Sequence, residues 1–338
     1  MLIPRLETQD LFGKKVLIRL DLDVGSEDFR ILAARTTIDY LISSDAKLII
    51  IGHLGRPMGK HVSSLSLGNV AQRLRKLLSH ELDFIHEIST FAVKERVDKL
   101  VEGQVVLLEN LRFDPQEEGN GDEFAKNLAS IADLYVNEAF AVSHRTHASI
   151  VGVPKYLPHV AGIRFFQEVD NLSKVIENPI RPVVVVISGL KEDKVSYIES
   201  FKGFADKILV GGRLPDFVAE EKKGSDPKVI YAKLNPDRED ITVHSIEAFE
   251  SEISKAKTIV LAGPIGKFED PGHRLGTERV FSAVARASAF KVAGGGETHK
   301  AISTFGLQSY FNWLSVGGGA TLEFLAKGTL PGIEALIH

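Results

Sequence analysis

Basic side chains in the first half of the chain follow apolar runs that read as buried strands. The runs are 48–51, 105–108 and 134–136, and the basic residues after them are His53, Arg56, Arg112, His144, Arg145 and His147. In an open α/β sheet, ligands bind beyond the carboxyl ends of the strands. Arg and His groups that converge there can hold a multiply charged anion. A single Arg is usually just solvated, but basic groups after three strands predict an anion site.

The second half is marked instead by glycines that follow predicted strands. They occur at Gly211 and Gly212, at Gly263 and Gly266, and in the runs 294–296 and 317–319. The two triple-glycine runs precede predicted helices at 297–305 and 321–327. Glycine lets the backbone approach a phosphate closely, and a helix N-terminus offers free N–H groups. One such glycine usually makes only a tight turn, whereas four sites in one half favour a nucleotide platform.

The elements that would position these residues alternate between short apolar runs and helix-like stretches. This alternation is typical of βαβ units and a parallel sheet. Strands are predicted at about 15–22, 47–52, 82–86, 105–109, 134–137, 183–188, 207–210, 228–232, 258–262, 291–293 and 313–316. Helices are predicted at about 31–44, 66–79, 91–101, 122–131 and 164–176. The last helix follows a break in the pattern at 156–158 and reads as a connector between two lobes.

Length and composition agree with two ordinary globular domains. The chain has 338 residues, which suits two domains of ~150 residues each. Its net charge of −4 gives no global basic field, so neither nucleic acid nor a membrane is expected as a partner. The absence of cysteine excludes disulfides, thiolate metal sites and a cysteine nucleophile. Apolar stretches are far shorter than the ~20 residues of a membrane span, and no export signal is visible. A cytoplasmic protein is predicted.

Several well-known motifs are missing. No glycine run fits G-x-G-x-x-G, and there is no G-x-x-x-x-G-K-[ST], so neither a dinucleotide dehydrogenase nor a P-loop enzyme is supported. H-E-x-x-H and G-x-S-x-G are also absent. The segment 144–147 contains two histidines and could form a metal site. Because an Arg lies between these histidines and the chain has no cysteine, anion binding is favoured.

Eight segments, in order along nearly the whole chain, resemble phosphoglycerate kinase. They are 16–24 (VLIRLDLDV), 52–57 (GHLGRP), 108–113 (LENLRF), 136–140 (VNEAF), 143–149 (SHRTHAS), 263–269 (GPIGKFE), 294–298 (GGGET) and 315–320 (SVGGGA). The resemblance implies an α/β protein with two Rossmann-like lobes, each built on a parallel sheet, that close by hinge bending.

The resemblance also divides the chain and gives it an activity. It implies a triose-binding lobe at 1–160, an interdomain helix at 161–179, a nucleotide-binding lobe at 180–320, and a tail at 321–338 that returns to the first lobe. The implied reaction is Mg²⁺-dependent phosphoryl transfer between ATP and 3-phosphoglycerate. Since two lobes can close without a partner, a monomer is expected.

The resemblance assigns site residues by position in the matching segments. The implied catalytic residues are Arg30, Lys191, Gly295 and Gly318. The implied phosphoglycerate site comprises Asp21, Asp23, Arg30, His53, Leu54, Gly55, Arg56, Arg112 and Arg145. The implied nucleotide site comprises Lys194, Gly211, Gly266, Glu269, Gly295, Gly296, Glu297 and Thr298, with Glu297 as the Mg²⁺ ligand.

The chain departs from the family pattern mainly in its nucleotide half. Asp23 stands where the family has Asn, Ala262 replaces an Asn, and Glu297 replaces an Asp. The lysine loop 188–194 is one residue short, the loop after Val24 is truncated, and part of the family's sequence is missing between residues 233 and 257.

Four interpretations therefore stay open from the sequence. They are an active, shortened kinase; a paralogue that phosphorylates another phospho-carboxylate; a binding or regulatory protein that kept the anion site; and a purely structural scaffold. The basic cluster makes the scaffold the weakest of the four.

Overall fold

A computed structural model describes residues 2–25, 28–88 and 91–338. The chain forms two compact units. The first contains Met1–Val169 together with Thr329–His338, and the second contains Asp170–Gly328. None of the helices in the described ranges is long and apolar enough to cross a membrane.

The first unit is built on a sheet whose described strands are all parallel, in the order β3-β4-β2-β1-β5-β6. The strands are β1 (Lys15–Arg19), β2 (Lys47–Ile51), β3 (Asp83–Ile85), β4 (Val105–Leu108), β5 (Leu134–Asn137) and β6 (His159–Ala161). The helices are α1 (Phe29–Ser43), α2 (Gly68–Leu78), α3 (Phe91–Asp98), α4 (Pro115–Glu118) and α5 (Asp122–Ala129). The central strands are buried, as expected for a parallel sheet covered on both faces.

The second unit has the same architecture, with strand order β12-β11-β10-β7-β8-β9 and parallel pairing throughout its described strands. The strands are β7 (Val183–Gly189), β8 (Lys207–Gly212), β9 (Val229–Tyr231), β10 (Thr258–Ala262), β11 (Phe290–Gly294) and β12 (Trp313–Ser315). The helices are α7 (Val195–Phe201), α8 (Val243–Lys255), α9 (Leu275–Arg286), α10 (Gly296–Thr304) and α11 (Gly319–Lys327). The α/β class and the parallel sheets are confirmed.

Helix α6 (Ile163–Ile176) carries the chain from one unit to the next, and the division after Val169 falls inside it. The first unit supplies the cap of this helix. The Glu138 carboxyl group at the end of β5 accepts hydrogen bonds from the N–H groups of Arg164 at 3.1 Å and Phe165 at 3.0 Å. Such an acceptor satisfies donors that the first helical turn leaves unpaired.

The end of the chain differs from the expected boundaries. The predicted tail began at residue 321, but α11 belongs to the second unit, and only Thr329–His338 returns to the first. The physical reason is that Phe324 and Leu325 of α11 are buried within the second unit, whereas Ile333 and Leu336 of α12 (Pro331–Ile337) are buried after the return.

Some predicted element bounds also shift. Strand β1 ends at Arg19 rather than near residue 22, because the chain then turns into the loop that carries Asp21 and Asp23. The short edge strand β6 was not predicted. The shortened loop after Val24 includes residues 26 and 27, which lie outside the described part of the chain.

Candidate functional site

The predicted anion-binding residues lie after neighbouring strands of the first sheet. His53 and Arg56 follow β2, Arg112 follows β4, and Arg145 follows β5, while Asp21 and Asp23 follow β1. Since the order is β4-β2-β1-β5 and the strands are parallel, these loops share one edge of the sheet. That edge is the usual ligand edge of an open α/β sheet.

Asp23 and Arg30 organise the loop after β1. The Arg30 Nη1 donates to the backbone carbonyl of Asp23 at 2.7 Å, and the Asp23 Oδ1 accepts the N–H of Gly55 at 3.0 Å. Asp21 is buried, and its Oδ2 accepts the N–H of Ala141 at 2.9 Å. Burial raises the pKa of the Asp21 carboxyl, while Arg30 and the N–H of Ala141 act in the opposite direction. The loops after β1, β2 and β5 are thus tied together.

Asn110 and Arg112 join the loop after β4 to the loop after β2. The Asn110 amide donates to the carbonyls of Leu54 and Leu65, each at 2.8 Å, and its oxygen accepts the N–H of Arg112 at 3.1 Å. The Arg112 Nη1 donates to the Gly55 carbonyl at 2.8 Å. Leu54 and Gly55 therefore hold the loops in place through their backbone groups.

Arg56 and Arg145 differ from Arg112 in exposure. Both are exposed, whereas Arg112 is 7% exposed. Among the salt bridges of the described residues, neither Arg56 nor Arg145 has an acidic partner, while the Arg112 Nε lies 3.3 Å from Glu118 Oε1. An anion at this edge would meet one positioned guanidinium and two solvated ones.

Beneath this edge lies a buried charged network that the sequence did not predict. Arg19 and Glu117 are each fully buried, with 3.9 Å between Arg19 Nη2 and Glu117 Oε1. The Ser149 hydroxyl accepts from Arg19 Nε at 2.9 Å and donates to Glu117 Oε1 at 2.6 Å. The Arg19 Nη2 also lies 2.9 Å from His53 Nδ1. The one signal in the sequence was an Arg at the end of the apolar run 16–20.

The histidines beside this network are kept neutral. Burial, followed by the nearby guanidinium of Arg19, holds the pKa of His53 well below its usual range. Burial, followed by the charge of Arg112, lowers the pKa of His147 to about 3. These two rings can serve a ligand as neutral hydrogen-bonding groups, and the positive charge comes from the arginines.

In the second unit, two uncapped helix N-termini follow adjacent strands. Helix α10 begins after β11, and α11 begins after β12; the residue before each helix is a glycine, so neither N-cap position supplies a side-chain cap. Gly295 precedes α10 with φ +106°, a conformation that L side chains rarely adopt. Gly296 is the first residue of α10, and Gly318 directly precedes α11. Free N–H groups at two neighbouring helix starts form an edge that is suited to binding phosphate, the phosphate-binding edge.

Thr298 and Lys194 close the strand ends next to this edge. The Thr298 hydroxyl donates to the Gly294 carbonyl at 2.9 Å and accepts the N–H of Gly263 at 2.9 Å. The Lys194 Nζ donates to the Ser188 carbonyl at 2.7 Å, and burial lowers its pKa. Lys191, by contrast, is exposed. Of the two lysines, Lys194 braces the backbone and Lys191 is the one open to a ligand.

Gly211, Gly266 and Glu269 are already engaged by their own unit. A Cβ at Gly211 would lie 3.0 Å from Ile265 Cδ1, and one at Gly266 would lie 2.3 Å from Asp240 Oδ1. Both glycines thus permit close packing. Glu269 pairs with Lys300 at 2.9 Å between carboxylate and ammonium, which lowers the pKa of Glu269.

The donor set fits a magnesium ion that arrives with a nucleotide. No group of three or more His, Asp or Glu able to hold a metal occurs among the residues that the structure describes. Glu297 is an exposed carboxylate in the first turn of α10. Mg²⁺ is usually held by one or two carboxylates together with substrate phosphates, so a single carboxylate beside a phosphate-binding edge suffices.

The fold and these edges define a class: a two-unit α/β protein with an anion-binding edge on one parallel sheet and a phosphate-binding edge on the other. Comparison with known proteins is more specific. The family model for phosphoglycerate kinase matches residues 6–224 and 216–328. The phosphoglycerate kinase of Dictyoglomus turgidum is 37% identical to the chain, over 98% of this chain and 97% of that one. The phosphoglycerate kinase of Thermosipho africanus is 38% identical, over 97% of this chain and 96% of that one.

Solved structures agree. The phosphoglycerate kinase of Pyrococcus horikoshii superimposes with a TM-score of 0.86 at 28% identity, over 99% of this chain and 98% of that one. The enzyme of Coxiella burnetii gives a TM-score of 0.83 at 30% identity, over 99% of both chains. The chain belongs to the phosphoglycerate kinase family.

Proposed function

We propose that the chain catalyses reversible phosphoryl transfer between ATP and the carboxylate of 3-phosphoglycerate, giving ADP and 1,3-bisphosphoglycerate. The observation that carries this proposal is the anion-binding edge, where His53, Arg56, Arg112 and Arg145 follow three strands of one sheet. Family membership supports it. A phosphorylated carboxylate needs cationic and donor groups for both its phosphate and its carboxylate, and this edge supplies them.

On the triose side, the proposal divides the arginines by task. Arg56, Arg112 and Arg145 hold the phosphate that does not react, and His53 adds a neutral donor. Arg30 holds the reacting carboxylate. This arginine lies on α1, next to the loop that carries Asp21 and Asp23, and its guanidinium is hydrogen-bonded to that loop. Two anionic groups of one substrate are thereby fixed at separate points.

On the nucleotide side, the N–H groups at the starts of α10 and α11 hold phosphate oxygens, and Lys191 neutralises the transferring phosphoryl group. Gly295 and Gly318 are the catalytic glycines of the proposal, since a side chain at either turn would crowd an approaching phosphate. Glu297 would hold the Mg²⁺ ion, which neutralises charge on the nucleotide phosphates when bound.

The chemistry needs positioning rather than a covalent enzyme intermediate. A carboxylate oxygen of phosphoglycerate forms a bond to the γ-phosphorus, the bond from that phosphorus to the β–γ bridging oxygen breaks, and ADP leaves with the electron pair. The arginines and backbone donors stabilise charge that spreads over the phosphoryl oxygens. Hinge bending, which would exclude water before transfer, stays a prediction from the resemblance.

A coupled assay with ATP, Mg²⁺ and 3-phosphoglycerate tests the activity. We expect turnover in the range of ~1–10³ s⁻¹. Arg30→Ala should lower kcat by about 100-fold or more, the usual effect of removing one transition-state donor, with little change in the KM for ATP. If Arg30→Ala weakened the binding of ATP as much as it lowered kcat, the role given to Arg30 would be wrong. Arg35→Ala, on the exposed surface of the same helix, is the matched control.

The same assay separates the alternatives. Poor turnover with 3-phosphoglycerate but good turnover with another phospho-carboxylate would indicate a paralogue. Tight triose binding by calorimetry without turnover would indicate a binding protein. A monomeric state and a cytoplasmic location, with no nucleic acid or membrane partner, are further proposals; light scattering tests the first and cell fractionation the second.

A further inference from the structure

The hydrogen bond between Arg19 and His53 fixes where the imidazole carries its proton. The Arg19 Nη2 lies 2.9 Å from His53 Nδ1. A guanidinium has only donors, so Nδ1 must be the acceptor and cannot bear a hydrogen. In the neutral ring, the hydrogen is then on Nε2.

The guanidinium of Arg19 is itself held in place. Its Nε donates to the Ser149 hydroxyl at 2.9 Å, and its Nη1 donates to the Leu20 carbonyl. Ser149 is fixed in turn: its N–H donates to Glu117 Oε2 at 2.9 Å, and its carbonyl accepts from the Tyr135 hydroxyl at 2.6 Å. Arg19 is fully buried, so it cannot turn away from His53 without breaking these bonds.

The groups around His53 also disfavour a second proton on the ring. Positive charges act on it from three elements, through Arg19 on β1, Arg112 after β4 and Arg30 on α1, while the nearby His147 is itself neutral. Among the ion pairs of the described residues, the acidic partner of the ring is Asp23, whose Oδ2 lies 3.9 Å from His53 Nε2 and whose side chain is 46% exposed. A charged ring would moreover place an Nδ1 hydrogen directly against the Arg19 hydrogen.

We propose that Arg19 is a positioning residue that holds His53 as the neutral Nε2–H tautomer, so that the ring always presents a donor to the ligand edge. The 3.9 Å between Nε2 and Asp23 Oδ2 exceeds hydrogen-bond distance, which leaves this donor for an anionic oxygen. The tautomer follows from the geometry of the first unit alone. Its use in binding 3-phosphoglycerate rests on the proposed function.

Long-range proton–nitrogen NMR on the full-length, ¹⁵N-labelled protein without ligand tests the tautomer directly. The ring signals are assigned by their loss in His53→Gln. We expect Nδ1 unprotonated and Nε2 protonated from about pH 8 down to about pH 5, across the range in which an ordinary histidine changes its charge. A hydrogen on Nδ1, or a titration midpoint near the ordinary value of about 6.5, would overturn the proposal.

Substitution at Arg19 tests the positioning role. Arg19→Gln offers an amide that can accept as well as donate, so the ring should gain the Nδ1–H tautomer. The KM for 3-phosphoglycerate should then rise about tenfold, the effect of losing one hydrogen bond to a charged group, with the KM for ATP unchanged. Arg19→Lys retains a donor and should restore part of the loss. A Gln variant that keeps both the tautomer and the wild-type KM would contradict the role.

The two proposals fail in different ways. If the Gln variant does not fold, the wild-type spectrum alone still decides the tautomer. If the spectrum shows Nε2–H but no preparation turns over 3-phosphoglycerate, the proposed function is wrong and the inference about His53 stands.

Discussion

Asp23 places a carboxylate at the edge where the basic side chains of the first unit gather. This carboxylate also stabilises the neighbouring loop, because its Oδ1 accepts the N–H of Gly55 at 3.0 Å and so holds the segment that carries His53 and Arg56. Its charge would also repel an anion bound at this edge. One residue thus has a structural benefit and an electrostatic cost, and the two can be separated experimentally.

Asp23→Asn should lower the KM for 3-phosphoglycerate about twofold to fivefold, the scale of an exposed charge interaction. The amide oxygen can still accept from Gly55, so the loop stays in place while the repulsion disappears. Steady-state kinetics at low and high salt provide the measurement, and the gain should shrink as salt screens the charge. Asp23→Ala, which loses the acceptor, should raise the KM. A higher KM in the Asn variant would show that the charge assists binding.

How far the site could be predicted differs from residue to residue. Arg112 could be predicted, because it follows an apolar run inside a recognisable segment. Arg19 lies in an equally recognisable segment, yet its role depends on Ser149 and Glu117, which are distant in sequence and meet it only in the folded unit. Local patterns place a residue at the end of a strand, but they do not show its long-range partners.

At the level of elements, the cap of α6 stands out. Glu138 at the end of β5 accepts from the first turn of the helix and from the hydroxyl of Thr37 on α1. A Cβ at Gly162 would lie 2.1 Å from Glu138 Oε2, so this approach requires glycine. Burial raises the pKa of the Glu138 carboxyl to about 8. Three elements therefore meet at one protonated carboxyl group.

This gives a pH dependence with a definite sign. An unfolded Glu ionises near pH 4.3, while the native Glu138 keeps its proton to about pH 8. Raising the pH between these values favours the unfolded state, so this residue lowers the free energy of unfolding by up to about 1.4 kcal/mol per pH unit.

Chemical denaturation of the wild type and Glu138→Gln across this range is the measurement. The stability of the wild type relative to the variant should fall as the pH rises. The comparison with the variant is needed because His53 and His147 also change the stability with pH. Their native pKa values are lowered, so they make the protein less stable as the pH falls below about 6.5. A difference that does not vary with pH would mean that Glu138 is ionised in the native state.

The turn after β10 provides a second prediction at this level. Gly263 has φ +121°, and a Cβ there would lie 2.1 Å from the Ser188 carbonyl oxygen on β7. Gly263→Ala should destabilise the second unit by about 3 kcal/mol, through backbone strain and overpacking.

Gly296→Ala is the matched control, because a Cβ at Gly296 meets nothing within 4 Å. Thermal unfolding should leave this variant within about 0.5 kcal/mol of the wild type. Similar losses in the two variants would contradict the steric argument.

Strands were predicted where an apolar run marks them, and β6 was missed because its sequence contains no such run. The run 183–187 is wholly apolar and forms a central strand. Strand β6 has three residues, begins with His159 and directly follows Pro158, so its sequence reads as a break. Its place in the sheet comes from pairing with β5, which a local pattern does not contain.

At the scale of the whole molecule, the first unit is discontinuous in sequence. Its main part ends at Val169, and α12 joins it from the far end of the chain. The N–H of Gly332 donates to the Ser143 carbonyl at 2.8 Å, directly before the segment of His144 and Arg145. The last helix therefore packs against the base of a loop that belongs to the candidate anion site.

A fragment of residues 1–169 should be less stable than the same fragment joined by a short linker to residues 329–338. Leu330, Ile333 and Leu336 are each at most 1% exposed, and burying three such side chains contributes at least about 4 kcal/mol. Urea unfolding followed by circular dichroism measures the difference. A joined fragment with Ile333→Ser and Leu336→Ser is the control and should lose most of the gain. Equal stability of all three fragments would show that α12 contributes little.

This discontinuity also affects how the protein is made. A ribosome completes Asp170–Gly328 as one uninterrupted stretch, so the second unit has all its residues before α12 has been synthesised. The first unit, although translated earlier, receives α12 only after residues 170–328 have been made. The unit that is begun first is therefore completed second, and until α12 has been made the nascent chain exposes the apolar surface that Ile333 and Leu336 later cover.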